Sequence, residues 1–214
     1  MEQVVILGNG LFPTSAYPLY LLESADAVVC CDGALLNYLD HFKGERQPAA
    51  VIGDMDSLPA DVQAKYASLV VKVDEQDYND QTKAMKYVLA HYPEVTDIHI
   101  LGATGLREDH TIGNLGLLME YTRQFQLGDI RVDMVSDFGT AFAITDSCDL
   151  HLGEGRRISI FSADNSLRIT SEGLQWPLDD VVFDAWWKAT LNRTTAPVVS
   201  LHFSHPSSAL VMVD

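Results

Sequence analysis

The chain has 214 residues, 47% of them hydrophobic, enough to build a real core in one large domain or two small ones. Its 30 acidic residues outnumber 14 Lys and Arg, for a formal net charge of -16. Such a surface repels nucleic acid and anionic membranes, so neither is expected as a partner, while a metal-chelated nucleotide is compatible with it.

The N-terminal stretch MEQVVILGNG carries no basic segment, and its apolar run is too short for a signal peptide. No run approaches the ~20 apolar residues of a membrane span. Cys30, Cys31 and Cys148 are odd in number and two are adjacent, which argues against a disulfide framework. No Cys/His spacing suggests zinc. The expectation is a reduced, soluble, cytoplasmic protein.

In chain order, Val4–Leu7, Ala27–Cys31, Ala49–Ile52, Leu69–Val73 and Asp97–Leu101 read as strands, apolar on both faces as a covered parallel sheet requires. Between them, helices are predicted after Pro59, over Asp80–Tyr92 and over Asp109–Phe125. In the second of these, Met85, Val88 and Leu89 share one face. The alternation implies βαβ units. Beyond Phe125 the runs IRVDMVS, TAFAIT, RRISIFSA, SLRIT, VVSLHF and ALVMVD are short, β-branched and partly alternating. They predict a small all-β sandwich or barrel. The fold class is therefore an N-terminal parallel-sheet α/β domain over residues 1–127, followed by an all-β domain over 128–214.

The polar residues fall at the strand ends. Gly8–Gly10 follows the first strand, Asp32-Gly33 the second, Asp54 and Asp56 the third, Asp74–Gln81 the fourth and Gly102–His110 the fifth. Ligands of open α/β sheets bind outside the carboxyl ends of the strands. Asp and Gly are also ordinary turn and cap residues, so it is their coincidence on one edge that points to a site.

Two readings of Asp54 and Asp56 stand side by side. In one, Asp56 or Ser57 caps the helix after Pro59 and Asp54 is a solvated turn residue. In the other, both carboxylates converge with further ones on a divalent cation. Two carboxylates about 5 Å apart repel by roughly 3 kcal/mol at an effective dielectric of about 20. Asp32, Asp77 or Asp80 on the same edge would add to that cost, and Mg²⁺ would reverse it. The segment lacks the glycine and terminal glutamate of a calcium-binding EF-hand.

In GATGLREDH, the glycines, Gly105 among them, form a candidate backbone nest for phosphate beside Arg107, a bidentate donor. A helix N-terminus near Asp109 faces the same edge. A plain glycine-rich turn with a surface arginine is the competing reading. His110 is a helix-start hydrogen-bonder or a phosphate contact. No complete GxGxxG and no GK[ST] occurs, which disfavours a Rossmann dinucleotide site and a P-loop kinase. Cys30 and Cys31 read as core residues at a strand end.

The segments CDGALLNYL, VIGDMDS, EQDYNDQTKAM, LGATGLREDHTIGNL and GLQWPL, in this order and spanning nearly the whole chain, resemble thiamine pyrophosphokinases. The resemblance implies an α/β domain binding ATP and Mg²⁺, a β-sandwich for thiamine binding and dimerisation, and a homodimer with shared active sites. It implies that the diphosphoryl group of ATP passes to the hydroxyl of thiamine, giving AMP and thiamine diphosphate. It assigns Asp54, Asp56 and Asp80 to Mg²⁺ and the ATP phosphates, Asp32 and Gln76 to substrate, and Asp77 to loop support. Arg107, Asp109 and Asn114, with Gly105 and His110, fall to ATP, and Trp176 and Asn192 to thiamine.

The chain departs from the family pattern at Asp32-Gly33-Ala34-Leu35, where Asp-Gly-Gly-Ala-Asn is usual. Glu75–Asp80 replaces Asp-Gln-Asp-x-Thr-Asp, and Leu191-Asn192 replaces a Ser-Asn pair. The last change removes a hydroxyl from the thiamine region. The rival enzyme class is a metal-dependent nucleotide-sugar transferase, in which an apolar strand also ends in an Asp-x-Asp such as Asp54-x-Asp56. An acidic metal-binding regulatory module is the non-enzymatic alternative.

Overall fold

The computed structural model describes residues 2–75 and 77–214. The chain divides into two compact units, one running to Asn114 with Gly128–Asp137 added, the other formed by Leu115–Leu127 and Phe138–Asp214.

The first unit alternates strands and helices in the order β1 (Glu2–Leu7), α1 (Ala16–Ser24), β2 (Ala27–Cys31), α2 (Ala34–His41), β3 (Ala50–Gly53), α3 (Ala60–Lys65), β4 (Val70–Lys72), α4 (Asp80–His91), β5 (Val95–Leu101), the start of α5 (Glu108–Gln124, whose residues from Leu115 belong to the second unit) and β6 (Arg131–Ser136). Its strands lie in the order β6-β5-β1-β2-β3-β4, and every neighbouring pair is parallel. All residues of β2 and β3 are buried, as their continuous apolar runs require. One layer of core joins Val5, Leu7, Val28, Cys30, Val51 and Leu101 to Leu22 of α1 and to Leu35 and Tyr38 of α2. Helix α4 packs over β1, β2 and β3, with Ala84, Met85 and Val88 buried and Leu89 half-buried.

The chain steps outward from β1 through β2, β3 and β4, then returns to the other side of β1 for β5. The strand order therefore reverses between β1 and β5, and their carboxyl ends flank the crevice where open α/β sheets bind ligands.

Two helices lay outside the sequence expectations. Helix α1 holds Pro18 in its first turn, where a missing N–H breaks no intrahelical bond. Helix α2 starts directly after the Asp32-Gly33 turn. The segment IRVDMVS, expected in the all-β part, is β6, paired parallel with β5 in the register Asp97↔Arg131, His99↔Asp133 and Leu101↔Val135. Its polar alternation comes from one charged sheet face.

The second unit contains β7 (Gly139–Ile144), β8 (Cys148–His151), β9 (Arg157–Ser162), β10 (Arg168–Glu172), β11 (Val181–Val182), β12 (Ala189–Arg193), β13 (Val198–Phe203) and β14 (Ala209–Val213). They form two antiparallel arrays, β12-β9-β14-β7 and β11-β10-β13-β8. Ile158, Ile160, Leu167, Ile169, Val199, Leu201 and Val211 form the core of this sandwich. Among the described residues no helix is long and apolar enough to cross a membrane, and all three cysteines are free.

Candidate active site

Asp32 follows the last residue of β2 and adopts φ +41°, the left-handed region that a non-glycine residue enters at a cost. Its N–H donates to the Ile52 carbonyl at 2.9 Å, which ties the tip of β2 to β3. The side chain is 5% exposed. Its Oδ2 accepts the Ser57 N–H at 3.0 Å, while the buried Oδ1 has no hydrogen-bond partner among the described residues. An unsatisfied buried carboxylate oxygen is costly and marks a place where a ligand group fits.

The next loop starts at Gly53. A Cβ there would lie 3.0 Å from Asp32 Cβ and 3.2 Å from Asp80 Oδ2, so the position is glycine because two carboxylate side chains close over it. Met55 is also left-handed, at φ +70°. Asp54 Oδ1 accepts the Asp56 N–H at 3.2 Å. Helix α3 is capped at Pro59 with no side-chain hydrogen bond. The reading of Asp56 or Ser57 as its cap is therefore corrected: the N-cap position falls on Pro59, and the Asp56 and Ser57 N–H groups instead donate to the carboxylates of Asp54 and Asp32.

Asp80 is the first residue of α4, whose N-cap Asn79 accepts the Thr82 N–H at 3.0 Å. Burial raises the Asp80 carboxyl above the usual range. Lys83, whose Nζ lies 3.3 Å from Asp80 Oδ1, opposes that shift, and the charges of Asp32 and Asp54 add to it. The structure thus gathers Asp32, Asp54 and Asp80, while Asp56 is exposed at the rim of the same loop. Asp77 is exposed, and Gln76 lies outside the described residues.

Among the described residues no three His, Cys, Asp or Glu side chains enclose a metal position. The donor set is nevertheless all oxygen, with one buried oxygen unsatisfied. That suits Mg²⁺, which is commonly held by one or two carboxylates together with substrate phosphates rather than by a protein cage.

The crevice between β1 and β5 is lined by the two glycine turns. Gly8, Gly10 and Leu11 donate their N–H groups to Leu101, Gly102 and Thr104 carbonyls at 2.8, 2.6 and 2.8 Å. A Cβ on Gly10 would stand 2.6 Å from the Gly102 oxygen. Gly105 donates its N–H to Thr111 Oγ1 at 3.3 Å, so that amide already has a partner.

Arg107 is exposed and forked onto Asp109, with Nε–Oδ1 at 3.1 Å and Nη2–Oδ2 at 2.5 Å. The guanidinium holds the Asp109 carboxyl down at about 2. The Asp109 carboxylate also accepts the His110 N–H at 2.9 Å, and the rest of His110 is exposed. Asn114 is a staple, since its Nδ2 donates to the Ala103 carbonyl and its Oδ1 accepts from Asn79 Nδ2, both at 2.8 Å. It therefore links the loop after β5 to the cap of the helix that carries Asp80.

In the second unit, Trp176 lies between β10 and β11 with 57% of its surface exposed. Asn192 is buried and spends both ends of its amide on the Trp176 backbone. Oδ1 accepts the N–H at 3.1 Å and Nδ2 donates to the carbonyl at 2.7 Å. Leu191 is 83% exposed at φ +57°.

The sequence reading missed Lys83, a lysine only 5% exposed that donates to the Val73 carbonyl at 3.1 Å as well as to Asp80. The available signal was a lysine among the contiguous positions 81–85 that α4 turns inward. Cys30 and Cys31 are core residues whose thiols burial pushes up, which removes them from nucleophilic chemistry.

The family model described as "Thiamin pyrophosphokinase, catalytic domain" matches residues 19–128, and "Thiamin pyrophosphokinase, substrate-binding domain" matches 139–211. Thiamine pyrophosphokinase 1 of Oryza sativa subsp. japonica is 30% identical over 202 residues, covering 82% of this chain and 74% of the relative. The Arabidopsis thaliana protein of the same name is 28% identical over 186 residues, covering 75% and 67%. Among solved structures, the thiamin pyrophosphokinase from Candida albicans superposes with a TM-score of 0.81 at 16% identity, covering 99% of this chain and 88% of that one. The one from Geobacillus thermodenitrificans gives 0.76 at 21% identity, covering 99% and 97%, and both likenesses are of fold. The nucleotide-sugar transferase reading finds no support in these matches. By both halves of its sequence, the chain belongs to the thiamin pyrophosphokinase family.

Proposed function

We propose that this chain is an ATP:thiamine diphosphotransferase that makes thiamine diphosphate and AMP. The observation that carries the reading is the Asp32–Asp54–Asp80 group at the strand ends, in a chain whose two halves both match the family. Residues 1–127 bind ATP and Mg²⁺, and 128–214 bind thiamine and dimerise, with β6 belonging to the first sheet by its pairing. The assembly is a cytoplasmic homodimer with shared active sites. The three free cysteines, two of them buried, and the acidic composition are consistent with that location.

In this reading the thiamine hydroxyl attacks the β-phosphorus of ATP. The bond from that phosphorus to the oxygen bridging to the α-phosphorus breaks, and AMP leaves with the electron pair. Asp32, with its buried and unpartnered Oδ1, takes the hydroxyl proton. Asp54, Asp56 and Asp80 would hold Mg²⁺, which when bound neutralises phosphate charge. The glycine turns fix the crevice, and Arg107 exchanges Asp109 for polyphosphate oxygens, a partner its fork also fits. Gly105, His110 and Asn114 shape the same loop, Gln76 and Trp176 contact thiamine, and Asn192 sets the Trp176 backbone. Positioning and charge neutralisation supply most of the catalysis of such transfers.

The test is incubation with ATP, Mg²⁺ and thiamine, followed by separation of the nucleotides. AMP formed one-for-one with thiamine diphosphate supports the assignment, and ADP as the sole nucleotide product overturns it.

A further inference from the structure

Leu191 departs from two regularities at once. Its backbone is left-handed, at φ +57°, where a bulky residue is an outlier and glycine is the usual occupant. Its side chain is 83% exposed, so packing within the chain does little to offset that strain. The surrounding hydrogen bonds explain how the conformation is held. Strand β12 pairs with β9 as Ala189↔Ile160 and Asn192↔Ile158, so Thr190 and Leu191 together stand opposite Ser159 in a β-bulge. Leu191 donates its N–H to Ser159 Oγ at 3.0 Å. On one side of it, Thr190 donates its N–H and its hydroxyl to the Trp187 carbonyl, at 3.3 and 2.8 Å. On the other, Asn192 is committed to the Trp176 backbone.

The bulge places an exposed apolar group beside an exposed aromatic one. Leu174 bridges Thr194 antiparallel, and the Gln175 N–H donates to the Arg193 carbonyl at 2.8 Å. The next residue, Trp176, therefore falls opposite Asn192, one position from Leu191. All three tryptophans of the chain, Trp176, Trp186 and Trp187, lie in this unit and are more than half exposed, although tryptophan is on average a well-buried residue. An exposed indole attracts a cation, more strongly when water is removed from the pair. An apolar side chain at the margin of the ring removes that water and offers no competing hydrogen bond.

We infer that Leu191 is a specificity-determining contact for the acceptor substrate: it packs against an alkyl-bearing edge of a heteroaromatic cation stacked on Trp176 and shields the stack from water. The inference rests on thiamine as the acceptor, a heteroaromatic cation with a methyl group on each ring, and on the match of residues 139–211 to a substrate-binding domain. The leucine then costs stability and contributes affinity, two effects that substitution separates.

The test pairs thermal melts of the free chain with calorimetric titration by thiamine in the presence of AMP and Mg²⁺. Leu191→Gly and Leu191→Asn accommodate a left-handed backbone and should melt about 2–4 °C above the parent. Both should nevertheless bind thiamine about 10-fold more weakly, the loss expected for one partly buried leucine contact. Leu191→Met keeps an apolar reach and should bind within about 2-fold of the parent. Of the two thiamine analogues lacking one ring methyl, one should bind the parent about 3-fold more weakly than thiamine, and that deficit should vanish in Leu191→Asn. Folded Gly and Asn variants that bind thiamine as the parent does would overturn the contact, and variants that melt below the parent would overturn the strain behind it. Equal discrimination against the analogues by the parent and the Asn variant would overturn the specificity. If the parent itself binds no thiamine, the acceptor assignment falls and this inference with it, whereas failure confined to the variants leaves that assignment standing.

Discussion

Lys83 Nζ lies 3.3 Å from Asp80 Oδ1 and 3.1 Å from the Val73 carbonyl, so a buried ammonium stands behind the carboxylate group of the sheet edge. It limits the repulsion among Asp32, Asp54 and Asp80 and fixes the Asp80 rotamer. Lys83→Met should therefore lower kcat by about 10-fold or more, with a smaller change in either KM. Steady-state kinetics alongside circular dichroism separates this from unfolding. A folded Met variant with parental kcat would remove Lys83 from the site's support.

Gly53 is where two carboxylate side chains cross the backbone. In Gly53→Ala the new methyl meets Asp32 Cβ at 3.0 Å and Asp80 Oδ2 at 3.2 Å. The expected loss of stability is about 1–3 kcal/mol, as for other overpacked positions. Turnover should fall far more than that loss accounts for, since the displaced groups are the proposed catalytic ones. Denaturant titration and kinetics on the same preparation measure both.

Arg107 is already forked to Asp109, so its geometry for an anion is preset. Arg107→Lys keeps the charge and loses the fork, and the KM for ATP should rise about 10-fold or more with little change for thiamine. Equal ATP KM values in the Lys variant and the parent would refute bidentate binding.

Trp176 and Asn192 predict a graded pair. Trp176→Ala removes the ring and should raise the thiamine KM about 10-fold or more, leaving that for ATP nearly unchanged. Asn192→Ala frees the Trp176 backbone, so it should raise the same KM by a smaller factor. Mixing Trp176→Ala chains with Asp56→Asn chains tests the shared site. Under subunit exchange, heterodimers with one unaltered site should recover activity, and verified heterodimers without recovery would exclude sharing.

Asp137 accepts the N–H and hydroxyl groups of both Thr14 and Ser15, at the entry to α1. Burial alone would raise its carboxyl, but these hydrogen bonds hold it at about 2. A folded value below the unfolded one of about 3.9 means stability that is complete above about pH 4 and lost as pH falls through about 2. For so open a group, about 1 kcal/mol is the expected size. Asp137→Ala should lower the melting temperature at pH 7, and the difference from the parent should shrink on acidification through that window.

The parallel sheet was legible because strands covered on both faces are continuous apolar runs, as in AVVCC and AAVI. The carboxylates and glycines at their ends were legible for the same reason: once the strands are placed, the loops follow. The resemblance added the roles. Helix α1 was not legible, being apolar around most of its circumference with a proline in its first turn. Strand β6 misled because Arg131 and Asp133 alternate with apolar residues, the pattern of a half-exposed antiparallel strand. The local reading of Asp56 or Ser57 as a cap failed because α3 begins only at Ala60, with Pro59 in the N-cap position and no side-chain hydrogen bond there. Lys83 and the Asn192 clamp depend on tertiary packing and leave little local trace.

The position of β6 has a consequence for synthesis. The first unit draws its last strand from beyond α5, so its sheet stays incomplete on the ribosome until Asp137 has left the exit tunnel. Until then β5 is an open margin with free backbone donors and acceptors, the kind of surface on which nascent chains pair wrongly. Arrival of Asp137 also closes the bond to Thr14, across 123 residues of sequence. Vectorial folding of this chain is thus gated late, and translation pauses placed before Arg131 should increase chaperone dependence while pauses after Asp137 should not.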